Sequence, residues 1–173
     1  MPHRTEHAAS TAMGAIKTAK AAILGLTGVF RHLAREHGEV SALLMRVKLS
    51  SDVAVRRDLF PKIKNELLSH EKGELREVYA VLKQYSQLQD IVEEHDSEAN
   101  ELEQLIDKLS VTPYDGKDWK NEFDRLVEKV NRHVKKEEND YFPAAMRVIG
   151  KEESERMLPR YQRAKAELMQ KVS

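Results

Sequence analysis

The sequence predicts an all-α protein: an antiparallel up-down four-helix bundle with an additional C-terminal helix and an N-terminal extension. Three observations carry that expectation. Glycine (7) and proline (5) are sparse in a chain of 173 residues, so turn signals are few. Apolar residues step by three and four, the helical period, while strand-like alternation is scarce. The long stripes are separated by short breaks, which favours antiparallel neighbours.

Residues 1–26 are expected to form a tail and a lead-in helix, with Met1–Ser10 polar and loose. The apolar run Ala21–Phe30, AAILGLTGVF, is far shorter than the roughly 20 residues a membrane-spanning helix needs. Lys17 and Lys20 lie late for a secretory leader, and no clean small-residue cleavage site follows an apolar core. Residues 27–150 are expected to form the bundle, and 151–173 a helix packed on it. The first bundle helix runs over about 27–49, with the stripe Leu33, His37, Val40, Leu44, Val47. The second follows the start signal Ser50–Asp52 and reaches about Tyr85. Its stripe is Leu59, Ile63, Leu67, His70, Glu74, Val78, Val81, Tyr85, and Pro61 should kink it or mark where its regular part begins. The third spans about 86–109, with Leu88, Ile91, His95, Glu98, Leu102, Leu105, Leu109. Ser110–Lys117, SVTPYDGK, reads as a loop. The fourth spans about 118–148, with Trp119, Phe123, Leu126, Val130, His133, Glu137 and Tyr141, and Gly150 ends it. A last helix over about 152–171 carries Met157, Tyr161, Ala164 and Leu168 and packs outside.

Composition narrows the function. Lys+Arg and Asp+Glu balance at 29 each, which gives no reason to expect nucleic acid or an anionic membrane as a partner. The chain has no cysteine, which removes disulfides, thiol nucleophiles, zinc–thiolate sites and iron–sulfur clusters, and fits a cytoplasmic location. The stretch Arg125–Asp140 mixes both signs and reads as an exposed helix face.

Each apolar seam is interrupted by one histidine: His37, His70, His95 and His133. On two seams a glutamate follows four residues later, Glu74 and Glu137, on the same helix face. The heights agree: His37 lies 12 residues before Leu49, His70 lies 11 after Leu59, and His133 lies 15 after Asp118. At about 1.5 Å per residue, all four imidazoles meet near the middle of an antiparallel bundle. Buried, unpaired groups of this kind cost several kcal/mol in total, so something should satisfy them. Imidazole with carboxylate and no thiolate suits iron, manganese or zinc. The candidates are too many for one ion and right for two. The Glu-x-x-His pattern of ferritin-like di-iron bundles is absent, because Leu67, Val92 and Val130 stand three residues before His70, His95 and His133.

The order His…His-x-x-x-Glu…His…His-x-x-x-Glu resembles the hemerythrin-like family. The flanks AREHGEVSALL, LFPKIKNELLSHEKGE and HVKKEENDYFP carry the likeness, over about 30–148. The resemblance implies two iron ions, oxo- or hydroxo-bridged, held by His37, His70, Glu74, His95, His133 and Glu137, with Glu74 and Glu137 as bridges. One histidine of the oxygen-carrying members is missing, since Ile91 and Ala99 flank His95 at four residues on either side. Glu71 or Glu98 can replace it. The form His70-Glu71-x-x-Glu74 is similar to the hemerythrin domain of the F-box iron sensor, which favours Glu71. An extra carboxylate stabilises Fe(III) over Fe(II). The expectation is therefore a centre that binds or reacts with dioxygen, peroxide or nitric oxide, as a sensor or in oxidative or nitrosative stress defence. Turnover of peroxide or nitric oxide, iron sensing and iron storage are the alternatives, beside a purely structural helical protein. Tyr141 stands one turn beyond Glu137 as core or as a donor to the metals. Trp119 and Phe123 read as core, and His3, His7 and His32 as solvated.

Overall fold

The structure, a computed structural model, describes residues 3–172, with side chains at 9, 11–22 and 24–171. Among these residues there is no strand. Seven helices follow in order: α1 (His3–Ile23), α2 (Gly28–Leu49), α3 (Val53–Glu74), α4 (Ala80–Leu82), α5 (Gln89–Val111), α6 (Lys117–Lys136) and α7 (Phe142–Val172). A π-helical turn, Leu75–Tyr79, joins α3 to α4, and a second, Glu137–Tyr141, joins α6 to α7. The four rods of the bundle are therefore α2, α3 through α4, α5, and α6 through the first arm of α7. Gly150 (φ 76°, ψ 176°) breaks α7 in a conformation that L side chains resist, and the second arm turns back over α2 and α3.

Local chemistry explains most boundaries. The Asp52 carboxylate accepts from the Ala54 N–H at 2.8 Å and caps α3. Pro61 lies inside α3 on its exposed side, where a missing backbone donor is least costly. The expected loop shortens because α5 continues to Val111 and α6 begins at Lys117. Residues 3–10, expected to be loose, are helical instead, in keeping with the alanine-rich sequence beyond them. The side chains of His3 and His7 lie outside the described residues.

The core is two apolar clusters with a polar layer between them. One end packs Val40, Leu44, Leu59, Ile63, Leu102, Ile106, Trp119 and Phe123, with Trp119 and Phe123 stacked at 4.9 Å. The other end packs Phe30, Leu33, Val78, Leu82, Leu88, Phe142, Met157 and Tyr161. On every rod the histidine falls where the first cluster stops and the second begins. The predicted stripe of the second rod holds as far as Val78, then departs: Tyr79 and Leu82 are buried while Val81 and Tyr85 are only half-buried. The π-turn inserts one residue and rotates the remainder of the rod by about 100°. On α5 the inward face runs through Val92, Ala99 and Ile106, so Ile91, Glu98 and Leu105 lie on its flank.

Candidate metal centre

All seven residues expected at the site converge in the polar layer, and all are buried. They form two sets whose donor atoms lie within 4.8 Å of one another: His37, His70, Glu74 and Glu137, and Glu71, Glu74, His95 and His133. Glu74 belongs to both. Glu137 also touches the second set, with Oε1 3.3 Å from His95 Nε2 and Oε2 3.5 Å from His133 Nε2. The two carboxylates expected to bridge thus lie between the four imidazoles.

The imidazoles turn Nε2 inward. His37 Nε2 and His70 Nε2 are 3.1 Å apart, and His37 Nε2 lies 3.2 Å from Glu137 Oε2. His133 Nε2 lies 3.2 Å from Glu71 Oε1. Three of the four Nδ1 atoms turn outward onto carboxylates: His37 to Glu138 at 3.1 Å, His70 to Glu36 at 2.9 Å, and His133 to Glu98 at 2.8 Å. Such outer partners fix ring orientation and tautomer, leaving the inner nitrogen free to ligate. His95 lacks one; its ring lies on Tyr79, with centroids 3.5 Å apart.

The donor set fits a multivalent cation. Both oxygens of Glu74, Glu71 Oε2, Glu137 Oε2, His95 Nε2 and His133 Nε2 are buried without a hydrogen-bond partner. Buried polar atoms are normally satisfied, so unpartnered carboxylate oxygens and imidazole nitrogens gathered in the two donor sets fit cations held among them. Charge points the same way. Burial works against ionising the His37 ring, but the adjacent Glu137 and Glu138 carboxylates override it and raise its pKa from 6.5 to about 9. His95 is raised likewise to about 10, with Glu137 and Glu74 beside it. In the metal-free chain, protons stand in for the missing cation charge.

Glu71 and Glu98 separate cleanly. Glu71 belongs to a donor set, whereas Glu98 accepts from the outer nitrogen of His133 and meets Lys136 on its other side. The Tyr141 hydroxyl makes no hydrogen bond to the donor set, and burial together with the carboxylates of Glu94 and Glu98 on α5 raises its pKa. Tyr79 takes the position considered for Tyr141 and donates to Glu137 Oε1 at 2.8 Å. His32 is not free in solvent: it is half-buried, with Nε2 3.1 Å from Glu36 Oε1. The Arg125–Asp140 stretch is not one exposed face either, because Glu137 and Glu138 are both buried. Glu36, Glu138, Tyr79 and Tyr161 escape sequence reasoning. The two glutamates had a signal, since each adjoins a predicted site residue; Tyr79 had none, because only the π-turn swings it inward.

Among the described residues, no helix is long and apolar enough to cross a membrane. No solved structure matched the chain significantly. A protein from Nostoc sp. described as a DNA nickase is 23% identical over 137 residues, 79% of this chain. The chain spans only 39% of that relative's length. The profile of the hemerythrin HHE cation binding domain matches residues 25–145, which includes every member of both donor sets. The chain therefore belongs to the hemerythrin HHE cation binding domain family and is a metal-binding protein of hemerythrin-like type.

Proposed function

We propose that the polar layer holds two iron ions and that the pair binds or reacts with a small molecule, namely dioxygen, peroxide or nitric oxide, in sensing or in oxidative or nitrosative stress defence. The observation that carries this is the pair of donor sets sharing Glu74 and spanned by Glu137. His37 and His70 would serve one ion, Glu71, His95 and His133 the other, and Glu74 and Glu137 both. Bound iron would supply a redox-active Lewis acid. The chain's own residues orient the imidazoles through Glu36, Glu98 and Glu138 and exclude water with an apolar cluster on either side.

Two features support a reactive centre over a reversible carrier. Glu71, on α3, offers a carboxylate in place of the histidine that oxygen carriers have on the third bundle helix, which favours the oxidised metal. Next to it, Leu68, Leu75, Ala99, Leu102 and Ile106 line a cleft between α3 and α5 of about 20 Å³, bordered by Lys72 and Glu103, whose side chains meet at 2.6 Å. That is room for about one water-sized molecule. Ala99, one of the two positions four residues from His95 that lack a histidine, lines this space with a small side chain. The nicking activity named for the Nostoc relative is not carried over, because the chain covers 39% of that protein.

The test is metal content with an optical spectrum, in air and under reductant. Two irons per chain and a near-ultraviolet band that bleaches on reduction are expected. Far less than one iron per chain from iron-replete cells, with no thermal stabilisation by added Fe(II), would overturn the reading. Peroxide turnover compared between the parent protein and Glu74→Ala separates an enzyme from a sensor.

A further inference from the structure

The matched profile starts at residue 25 and ends at 145, yet side chains from both flanking helices outside it reach the edge of the centre. Lys17 on α1 donates to both Glu138 oxygens, at 2.9 and 2.8 Å, and Glu138 faces the outer nitrogen of His37. Lys165 on the second arm of α7 lies 3.0 Å from Glu36 Oε2, the oxygen that faces the outer nitrogen of His70. The neighbouring Tyr161 hydroxyl donates to that same oxygen at 2.6 Å. Both imidazoles of the first donor set are thus backed by a glutamate, and each glutamate by a lysine from a flanking helix.

Both flanking helices dock on glycines next to candidate ligands. A Cβ on Gly38, beside His37, would lie 2.5 Å from the Met13 carbonyl oxygen of α1. A Cβ on Gly73, beside Glu74, would lie 3.0 Å from the Tyr161 ring. At Gly38 only glycine lets α1 approach this closely, and at Gly73 any side chain would press on the Tyr161 ring; the approach brings Lys17 and Lys165 within reach. The second donor set differs: His133 is backed by Glu98 and Lys136 from within the bundle, and His95 by neither.

We propose that Lys17 and Lys165 are positioning residues for the ion at His37 and His70, so that the two flanking helices set the electronic character of that ion. The inference rests on the paired-iron reading above. A carboxylate on the outer nitrogen of a ligating histidine strengthens it as a donor. A cation on the far side of that carboxylate draws charge back and adds its own field at the metal. Each lysine therefore favours the reduced metal. A lysine that merely packs a helix would change stability and leave the potential alone.

The test uses the full chain loaded with Fe(II) and reads iron per chain and reduction potential by spectroelectrochemical titration. Lys17→Gln and Lys165→Gln keep a polar, hydrogen-bonding side chain and remove the charge; Lys17→Arg and Lys165→Arg keep the charge; Lys62→Gln, in an exposed pair with Asp58, is the control. The Gln variants should retain two irons and show a downward shift of one potential, additive in the double variant. The Arg variants and the control should match the parent. Iron-loaded Gln variants with unshifted potentials overturn the proposal while leaving the paired-iron reading intact. A parent chain that takes up no iron removes both, and does so before any variant is compared. Should a Gln variant fail to fold, Lys17→Met and Lys165→Met make the same charge change with a side chain suited to burial, and the same outcomes decide.

Discussion

The Nε2 atoms of His37 and His70 face each other at 3.1 Å across the junction of α2 and α3. Two ring nitrogens at that distance share at most one proton, whereas two lone pairs suit one cation. His37→Leu and His70→Leu should each reduce bound iron from two per chain to about one. Glu74→Gln should disturb both ions, since Glu74 belongs to both sets. Elemental analysis and anaerobic Fe(II) titration read these outcomes, and an unchanged stoichiometry in His37→Leu would remove that residue from the ligand set.

Glu71 and Glu98 both touch His133, but on opposite sides of the ring, at 3.2 Å from Nε2 and 2.8 Å from Nδ1. Glu71→Gln should therefore lose the second ion, while Glu98→Gln should keep two ions and bind them about 10–100-fold more weakly. Equilibrium competition against a chelator distinguishes the two. The reverse order would make Glu98 the ligand.

The Tyr79 hydroxyl donates to Glu137 at 2.8 Å, and both side chains are buried. Tyr79→Phe should cost about 1.5–3 kcal/mol, as for a hydrogen bond to a charged group. Denaturant unfolding of the metal-free protein measures it. A loss below a few tenths of a kcal/mol would mean the hydroxyl is not needed to hold Glu137.

The metal-free protein should lose stability as pH rises. The folded pKa of His37, about 9, lies above the ordinary value of 6.5, so the folded state holds its proton more tightly than the unfolded chain. That contribution is complete below 6.5 and disappears as pH passes through about 9. With iron bound the trend should reverse over the same window, because the cation competes with those protons and is favoured as they leave. Thermal unfolding from pH 6 to 9.5, with and without Fe(II), tests both signs.

Much of this was legible in the chain. The four stripes and their histidines gave the bundle and the level of the site, because a single helical period connects burial to sequence. Glu71 was favoured over Glu98 only through the likeness of His70-Glu71-x-x-Glu74 to a known domain, since both adjoin a seam; the rotation of α5, which puts Ala99 inward and Glu98 on the flank, supports the same choice on geometric grounds. Tyr79 was hidden because the inserted residue of a π-turn breaks the period on which the reading depends. Lys17 and Lys165 were hidden for another reason. Their partners, Glu138 and Glu36, are more than a hundred residues away along the chain, and such pairings have no local signature.

The charged layer also divides the apolar interior in two, and this bears on how the molecule comes apart. With metal present, the four rods are tied at mid-height and the two apolar halves should melt together. Without it, only imidazole–carboxylate contacts cross the layer, with no ion shared among the rods, and cooperativity should weaken before helix content does. The chain's single tryptophan, Trp119, sits in one half, while Tyr161 and Phe30 sit in the other. Tryptophan fluorescence and far-ultraviolet circular dichroism should therefore give coincident unfolding curves for the iron-loaded protein and separate curves after chelation.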